Sequence, residues 1–192
     1  KLLRVYVQGR LSELQRKNCE AIALECDTCP RTLQRFLESI KWDEEKLRDR
    51  CQQIVATDHA HPEAIGCVDE SGTAKSGNET VGAARQWNGN RGKVDNCVVG
   101  VHLSYSAPGF QVQLDSTVYL PEAWANDPRA EKNYVPEEIE FRTKPQIAMD
   151  QIDRALANGI VVSAWTFDEA YARGAAFLDG LDSHSMTASQ VF

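Results

Sequence analysis

Two aspartates stand directly after apolar runs. Asp69 follows Ala64–Val68, and Asp168 follows Ile160–Phe167. In open α/β sheets, ligands and catalytic groups gather at the carboxyl ends of strands. If the two strands are neighbours, the two carboxylates converge and repel. A divalent cation relieves that repulsion. Hard oxygen donors suit Mg²⁺ or Mn²⁺, which keep positions open for phosphate oxygens and water. Strand-end Asp is also a common N-cap or turn residue, so spacing alone leaves both readings open.

Two further groups could do chemistry. Cys26 and Cys29 form Cys-Asp-Thr-Cys. A closed zinc site needs four ligands, and no second Cys-x-x-Cys or His-x-x-x-His follows at finger spacing. The nearest histidines are His59 and His61, so the pair reads as two turn cysteines without zinc. Beyond it, Arg31, Thr32, Gln34 and Arg35 share a segment with an apolar stripe at Leu33, Phe36, Leu37 and Ile40. That stripe has helical spacing, so the polar residues fall on the outer faces. Two helices joined by a short turn, the second rich in Arg, Thr and Gln, fit a helix-turn-helix. A plain helical bundle with solvated charges fits the same pattern.

The elements that position these residues change character near residue 61. Residues 1–60 read as helical. Leu11, Leu14 and Ile22 suit one helix face. Thr28 is placed to cap the next helix, with Pro30 in its first turn. Asp43 caps a third, with Leu47, Cys51, Ile54 and Val55 as its buried face. From 61 on, Ala64–Val68 is a short strand and residues 71–93, rich in glycine, a long loop. Alternating Cys97, Val99, Val101, Leu103 and Tyr105 predict a strand, and Phe110, Val112 and Leu114 the second strand of a hairpin across Ser106–Gly109. Residues 121–144 are polar and irregular and read as a surface insertion. A helix is predicted over 145–158 with Gly159 as its stop. A near-continuous apolar strand follows over 160–167, covered on both faces. A short helix comes next, about 170–178. Val191 and Phe192 read as the start of a further strand. The resulting fold class is α/β: a helical unit at 1–60 and a mixed α/β layer at 61–192.

Composition narrows the function classes. The chain has 192 residues and a net charge of −7, with 42% hydrophobic and 26% charged residues, as in a globular domain. Residues 1–60 carry 11 Lys and Arg against 10 Asp and Glu, and the remainder carries 10 against 18. Bulk charge therefore gives no support for a nucleic-acid binder, and any such role must come from a specific site. No window approaches the roughly 20 apolar residues of a membrane span. The start shows no secretory signal, so the six cysteines read as reduced thiols of a cytoplasmic protein. It also lacks an initiator Met, which reads as a piece of something longer.

Asp69-Glu70-Ser71-Gly72-Thr73-Ala74-Lys75-Ser76-Gly77 resembles the Asp-Asp-Thr-Gly-x-x-Lys-x-Gly block of DDE transposases of bacterial insertion sequences, in the group numbered 701. The likeness continues in order through Val81–Trp87, Gly92–Cys97, Val118–Trp124, Phe141–Pro145 and Phe167–Tyr171, and includes Pro30–Leu37 near the start. What the resemblance implies is a ribonuclease-H-like core in which three acids hold two Mg²⁺ (or Mn²⁺) ions for DNA strand cleavage and transfer. It also implies DNA partners, the transposon ends and target, and a homo-oligomer when full length. By this resemblance the first acid falls on Asp69 and the second on Asp168, both catalytic and metal-binding. Lys75 falls on the family's lysine and would contact a phosphate, and Arg31 and Arg35 would contact DNA. Glu70 and Ser71 stand where the family has Asp and Thr, and Ala172 where many relatives have Gly. The family's third acid lies well downstream. The last Glu here is Glu169, beside Asp168, so no residue matches the third position and the core is incomplete. Two readings stay open: a metal-dependent transposase or part of one, and a non-catalytic remnant acting as a DNA-binding or interaction module.

Overall fold

The computed structural model describes residues 1–41, 43–125, 127–133, 135–136, 139–184 and 188–190. Val191 and Phe192, where a further strand was expected to start, lie outside the described residues. The chain divides into two compact units, Lys1–Glu44 and Glu45–Phe192.

The first unit holds α1 (Leu2–Leu11), α2 (Cys19–Glu25) and α3 (Pro30–Ser39). The Asn18 side chain accepts from Ala21 N and caps α2. Between α2 and α3, Asp27 takes a left-handed φ of 47°, a conformation its short polar side chain tolerates. Ile22, Ala23, Leu33 and Phe36 form the buried cluster, with Leu2, Val5, Tyr6, Leu14 and Leu37 packed on it. Three expectations change here. Leu11 ends α1 and is 79% exposed, so it does not share a helix face with Ile22. Cys29, not Thr28, is the N-cap of α3, since Pro30 takes the first helical position. Ile40 is the extended C-cap residue and is exposed, so the apolar stripe closes at Leu37.

The second unit is built on a six-stranded mixed sheet. Its strands are β1 (Ile65–Ala74), β2 (Ala84–Asn88), β3 (Lys93–Ala107), β4 (Phe110–Val118), β5 (Ala164–Phe167) and β6 (Ala188–Gln190). The spatial order is β2-β3-β1-β5-β6, with β4 also paired to β3. β1, β2 and β4 run antiparallel to β3, whereas β5 runs parallel to β1 and β6 parallel to β5. This is the mixed α/β layer expected from the sequence. The helices of the unit are α4 (Glu44–Asp58), the short α5 (Glu122–Ala125) and α6 (Pro128–Lys132), α7 (Lys144–Ala157), α8 (Glu169–Ala172) and α9 (Ala175–Ser183). A capping box between Thr143 and Gln146 starts α7, and Asn158 closes it before Gly159. Its inward face, Ile147, Ala148, Ile152 and Ala155, joins Leu103, Tyr105, Trp165, Phe167, Phe177 and Leu181 in the core.

Side chains alternate across the sheet, and residues paired across strands share a face. Val99, Val101, Leu103 and Tyr105 on β3, Val68 on β1, and Trp165 and Phe167 on β5 are buried on the helix side. Opposite β3 they meet Gly66, Val68, Glu70 and Gly72 in register. The other face of β1 and β3 carries Cys67, Asp69, Ser71 and Thr73 against Ser104, His102, Gly100 and Val98. That open face is largely polar.

Several elements depart from the sequence reading. The glycine-rich stretch 71–93 is not one long loop: β1 runs on to Ala74 and β2 occupies 84–88. Pairing with β3 supplies the order that local periodicity does not show. α4 turns a different face inward. Leu47, Cys51 and Ile54 are exposed, and Gln52 and Val55 are buried. Gln52 donates to Leu114 O at 3.2 Å and accepts from Asn158 Nδ2 at 2.9 Å, so polar bonds replace an apolar stripe. α4 buries this face in the second unit, so the structural division falls at residue 44, before the change of period near 61. β5 covers only 164–167, one face of it partly open, and Val161 is exposed. The helix expected over 170–178 is two, broken where Gly174 caps α9.

Among the described residues of 121–144, the segment is anchored at Trp124 rather than merely superficial. Trp124 is buried and its Nε1 donates to Ala83 O at 3.0 Å. Arg129 lies over the Trp124 ring and donates to both oxygens of Asp127. Those hydrogen bonds from Arg129 hold the Asp127 carboxyl at about 2. An unfolded Asp titrates near about 3.9, so this contact is complete above that pH and is lost as pH falls from about 4 to about 2. Following the Asp127 carboxyl by NMR should give a midpoint near 2; Arg129→Ala should raise it only part of the way back, because the backbone N–H of residue 129 still donates to Asp127 Oδ1.

Candidate metal centre

Asp69 sits at the fifth position of β1, inside the strand, because β1 continues past the expected end. Its cross-strand partner on β3 is His102. On the other side β1 pairs in parallel with β5, Ile65 to Ala164, Gly66 to Trp165 and Cys67 to Thr166. Two residues further, that register sets Asp69 beside Asp168, the residue at which β5 ends. Both are exposed. The buried Val68 and Phe167 precede them, so both aspartates belong to the open face.

Each carboxylate has one oxygen engaged by backbone. Glu70 N donates to Asp69 Oδ1 at 2.7 Å, and Ala170 N donates to Asp168 Oδ1 at 2.6 Å. Asp168 is therefore the N-cap of α8 as well. Among the described residues no cation pairs with either carboxylate, and the second oxygen of each has no partner. For a hard divalent cation this donor set fits, since Mg²⁺ is commonly held by one or two carboxylates with water and substrate phosphates completing the sphere. Among the described residues no group of three or more His, Cys, Asp or Glu could hold a metal ion.

Two residues around the pair, Lys144 and Tyr171, were not singled out from the sequence, whereas Glu70 was noted only as a departure from the family block. Glu70 points to the helix side of β1 and pairs with Lys144 Nζ at 2.7 Å, at the first position of α7. Tyr171, on α8 three residues after Asp168, is 2% exposed, and its hydroxyl has no partner. Burial pushes that hydroxyl well above its ordinary value, and the carboxylates of Glu70, Asp69 and Asp168 push it further. Both Lys144 and Tyr171 lie in segments that carry the family resemblance, which was the available signal. A buried hydroxyl without a partner costs about 1–3 kcal/mol. Tyr171→Phe should therefore raise the thermal stability of the metal-free protein, by about 1 kcal/mol. A loss of that size would mean that the hydroxyl is hydrogen-bonded in the native state.

His102 is held on the same face by Ser71 Oγ at 2.7 Å from Nε2 and by Ser116 Oγ at 2.9 Å from Nδ1. Lys75 is not gathered at the aspartates. It follows the end of β1, six residues beyond Asp69 and so about 20 Å along the strand. Its backbone is tied to Asn96 by two hydrogen bonds of 2.9 Å. In the first unit Arg31 and Arg35 are exposed on α3, as the stripe required. Cys26 Sγ contacts Val5 O at 3.8 Å, and Cys29 is exposed at the start of α3. No helix among the described residues is long and apolar enough to cross a membrane.

Two acids on one face of a mixed sheet could hold a divalent cation. The DDE superfamily endonuclease family matches residues 1–188, and the chain belongs to that family. A curated relative described as a probable transposase for insertion sequence element IS701, from Microchaete diplosiphon, is 32% identical over 180 residues. The match covers 91% of this chain and 44% of the relative, so the chain spans less than half of that protein's length. Among solved structures, the Mos1 transposase paired-end complex with left transposon end is 12% identical, covering 98% of this chain and 57% of that one, at a TM-score of 0.33. The Mos1 mariner paired end complex with Mn is 10% identical, covering 98% and 58%, at 0.28. Scores that low carry no weight for fold or role.

Proposed function

We propose that this chain is the segment of an insertion-sequence transposase that contributes the first two metal-binding acids of a ribonuclease-H-like core, together with a helical DNA-contacting unit. The observation that carries the reading is the β1–β5 register, which sets Asp69 beside Asp168 on one open face. Those two carboxylates would hold Mg²⁺ or Mn²⁺. The chemistry supplied when such ions are bound is activation of water or a 3′-hydroxyl toward a phosphodiester and stabilisation of the leaving oxygen. The backbone N–H groups of Glu70 and Ala170 fix the rotamers of the two acids. Glu70, on the helix side of β1, is paired with Lys144.

Arg31 and Arg35 on the solvent face of α3 contact DNA phosphates, and Lys75 contacts a phosphate away from the cleavage point. No residue of this sequence matches the third acid. Two carboxylates alone hold Mg²⁺ weakly, because it dehydrates reluctantly. The 192-residue chain by itself should then bind DNA and cleave it little. A longer protein carrying this segment and a Glu-bearing helix should nick duplex DNA only with Mg²⁺ or Mn²⁺ present. Arg31→Ala or Arg35→Ala should weaken binding to all duplex sequences alike. Each should also lower the slope of log affinity against log salt by about 1. Unchanged affinity and slope in both variants would remove α3 from the DNA interface. Cleavage that persists in a chelator would remove the metal site from the reaction.

A further inference from the structure

The end of the open sheet face farthest from the aspartates carries an aromatic residue where burial would be expected. Trp87 on β2 is 54% exposed and pairs across to Val94 on β3, which is 52% exposed. Arg85, two residues before Trp87, shares its face and pairs with Asn96. The β3 register runs without a break against β1 from Cys97 to Ser106, so Val94, Asn96 and His102 lie on one side. Trp87 thus stands on the same face as Asp69, about eight residues or 27 Å along β3.

The surrounding charge is also unusual for this molecule. Residues 61–192 are strongly acidic, yet residues 75–97 hold Lys75, Arg85, Arg91 and Lys93 against Glu79 and Asp95. Both of those acids are already paired, Glu79 with Lys132 at 2.8 Å and Asp95 with Arg91 at 2.8 Å. Among the described residues no acid forms an ion pair with Lys75 or Arg85, whereas Lys93 lies on the opposite face of β3 and acts on Asp95. A half-exposed indole with uncommitted cations beside it is a stacking platform with phosphate contacts, the arrangement that takes unpaired nucleotides. A duplex offers no free base face to it except at an end.

We infer that the β2–β3 hairpin is a second nucleic-acid contact, in which an unpaired DNA base stacks on Trp87 and the adjoining phosphates meet Arg85 and Lys75. This deepens the proposed function and rests on it, since the same open face would carry the strand toward the aspartates. It commits to single-stranded DNA or a frayed DNA end.

The test is fluorescence anisotropy with the 192-residue chain, using an oligothymidylate of about 16 nucleotides and a blunt duplex of similar length. Trp87→Ala should weaken oligothymidylate binding about tenfold and duplex binding much less. Trp87→Phe should restore most of the loss, and Arg85→Ala should lower the salt slope by about 1. Trp87 is half exposed, so a matching thermal melt identifies variants that remain folded. If the wild type binds the oligothymidylate and Trp87→Ala binds it equally well, the inference is wrong while the transposase reading stands. If the wild type binds neither probe, both fail. If Trp87→Ala instead turns a DNA-free dimer into a monomer by sedimentation, with DNA affinity unchanged, the patch joins two copies of this chain and the inference is overturned.

Discussion

Asp69→Asn and Asp168→Asn are each expected to reduce DNA strand cleavage about 10³-fold or more in a protein that carries this segment and a third acid. The reasoning is electrostatic. Asparagine keeps the shape of the side chain and removes the charge that holds the cation. Metal stabilisation of the reacting oxygens supplies several kcal/mol, and each 1.36 kcal/mol is about tenfold in rate. Folding should survive both changes. Asn serves as an N-cap nearly as well as Asp, so α8 keeps its start at position 168. At position 69 the amide oxygen can still accept from Glu70 N, the bond the carboxylate makes at 2.7 Å. DNA affinity should stay within about twofold, since neither acid contacts phosphate without a cation. A variant that cleaves at the wild-type rate would end the catalytic reading for that residue.

The second large effect concerns the strand pair that creates the site. Gly66 lies opposite both Tyr105 and Trp165, and a Cβ there would come within 2.1 Å of the Trp165 ring. Trp165 is fully buried, so the ring has nowhere to retreat. Gly66→Ala should therefore destabilise the protein by about 3 kcal/mol, the upper range for overpacking a core. Trp165→Ala should cost about 3–5 kcal/mol through the cavity it leaves. The two changes touch the same space, so the double variant should be clearly more stable than the sum of the single losses. Urea unfolding of the three variants measures this. Strict additivity would mean that Gly66 is not needed for the approach of β5 to β1. Because Asp69 and Asp168 lie just beyond this contact, Gly66→Ala should also weaken Mn²⁺ binding.

Legibility from sequence followed the range of the interactions. The capped, amphipathic α7 and the β3–β4 hairpin were visible because their signals are local. Asp168 after β5 was visible for the same reason. β2 and the outer half of β1 were not, since Ser71–Ala74 and Ala84–Asn88 become strands only by pairing with β3. The inward face of α4 was misread because Gln52, a polar residue, is buried through bonds to Leu114 and Asn158. Apolar periodicity has no means of reporting such a contact. At the candidate site the two acids were legible, and their shared face followed from the parallel β1–β5 pair. Tyr171 was not, because nothing local distinguishes a tyrosine whose buried hydroxyl has no partner from one that only fills a core. Lys75 shows the reverse case: the motif puts it near Asp69 in sequence, and the extended strand carries it away.

The central claim is that Asp69 and Asp168 share one cation site. Anomalous diffraction from crystals of this chain soaked in Mn²⁺ tests it most directly. The account predicts a manganese peak within about 2.3 Å of a carboxylate oxygen of each aspartate. Carboxylates more than about 10 Å apart, too far for ions spaced about 4 Å to bridge, or manganese bound only elsewhere, would contradict it.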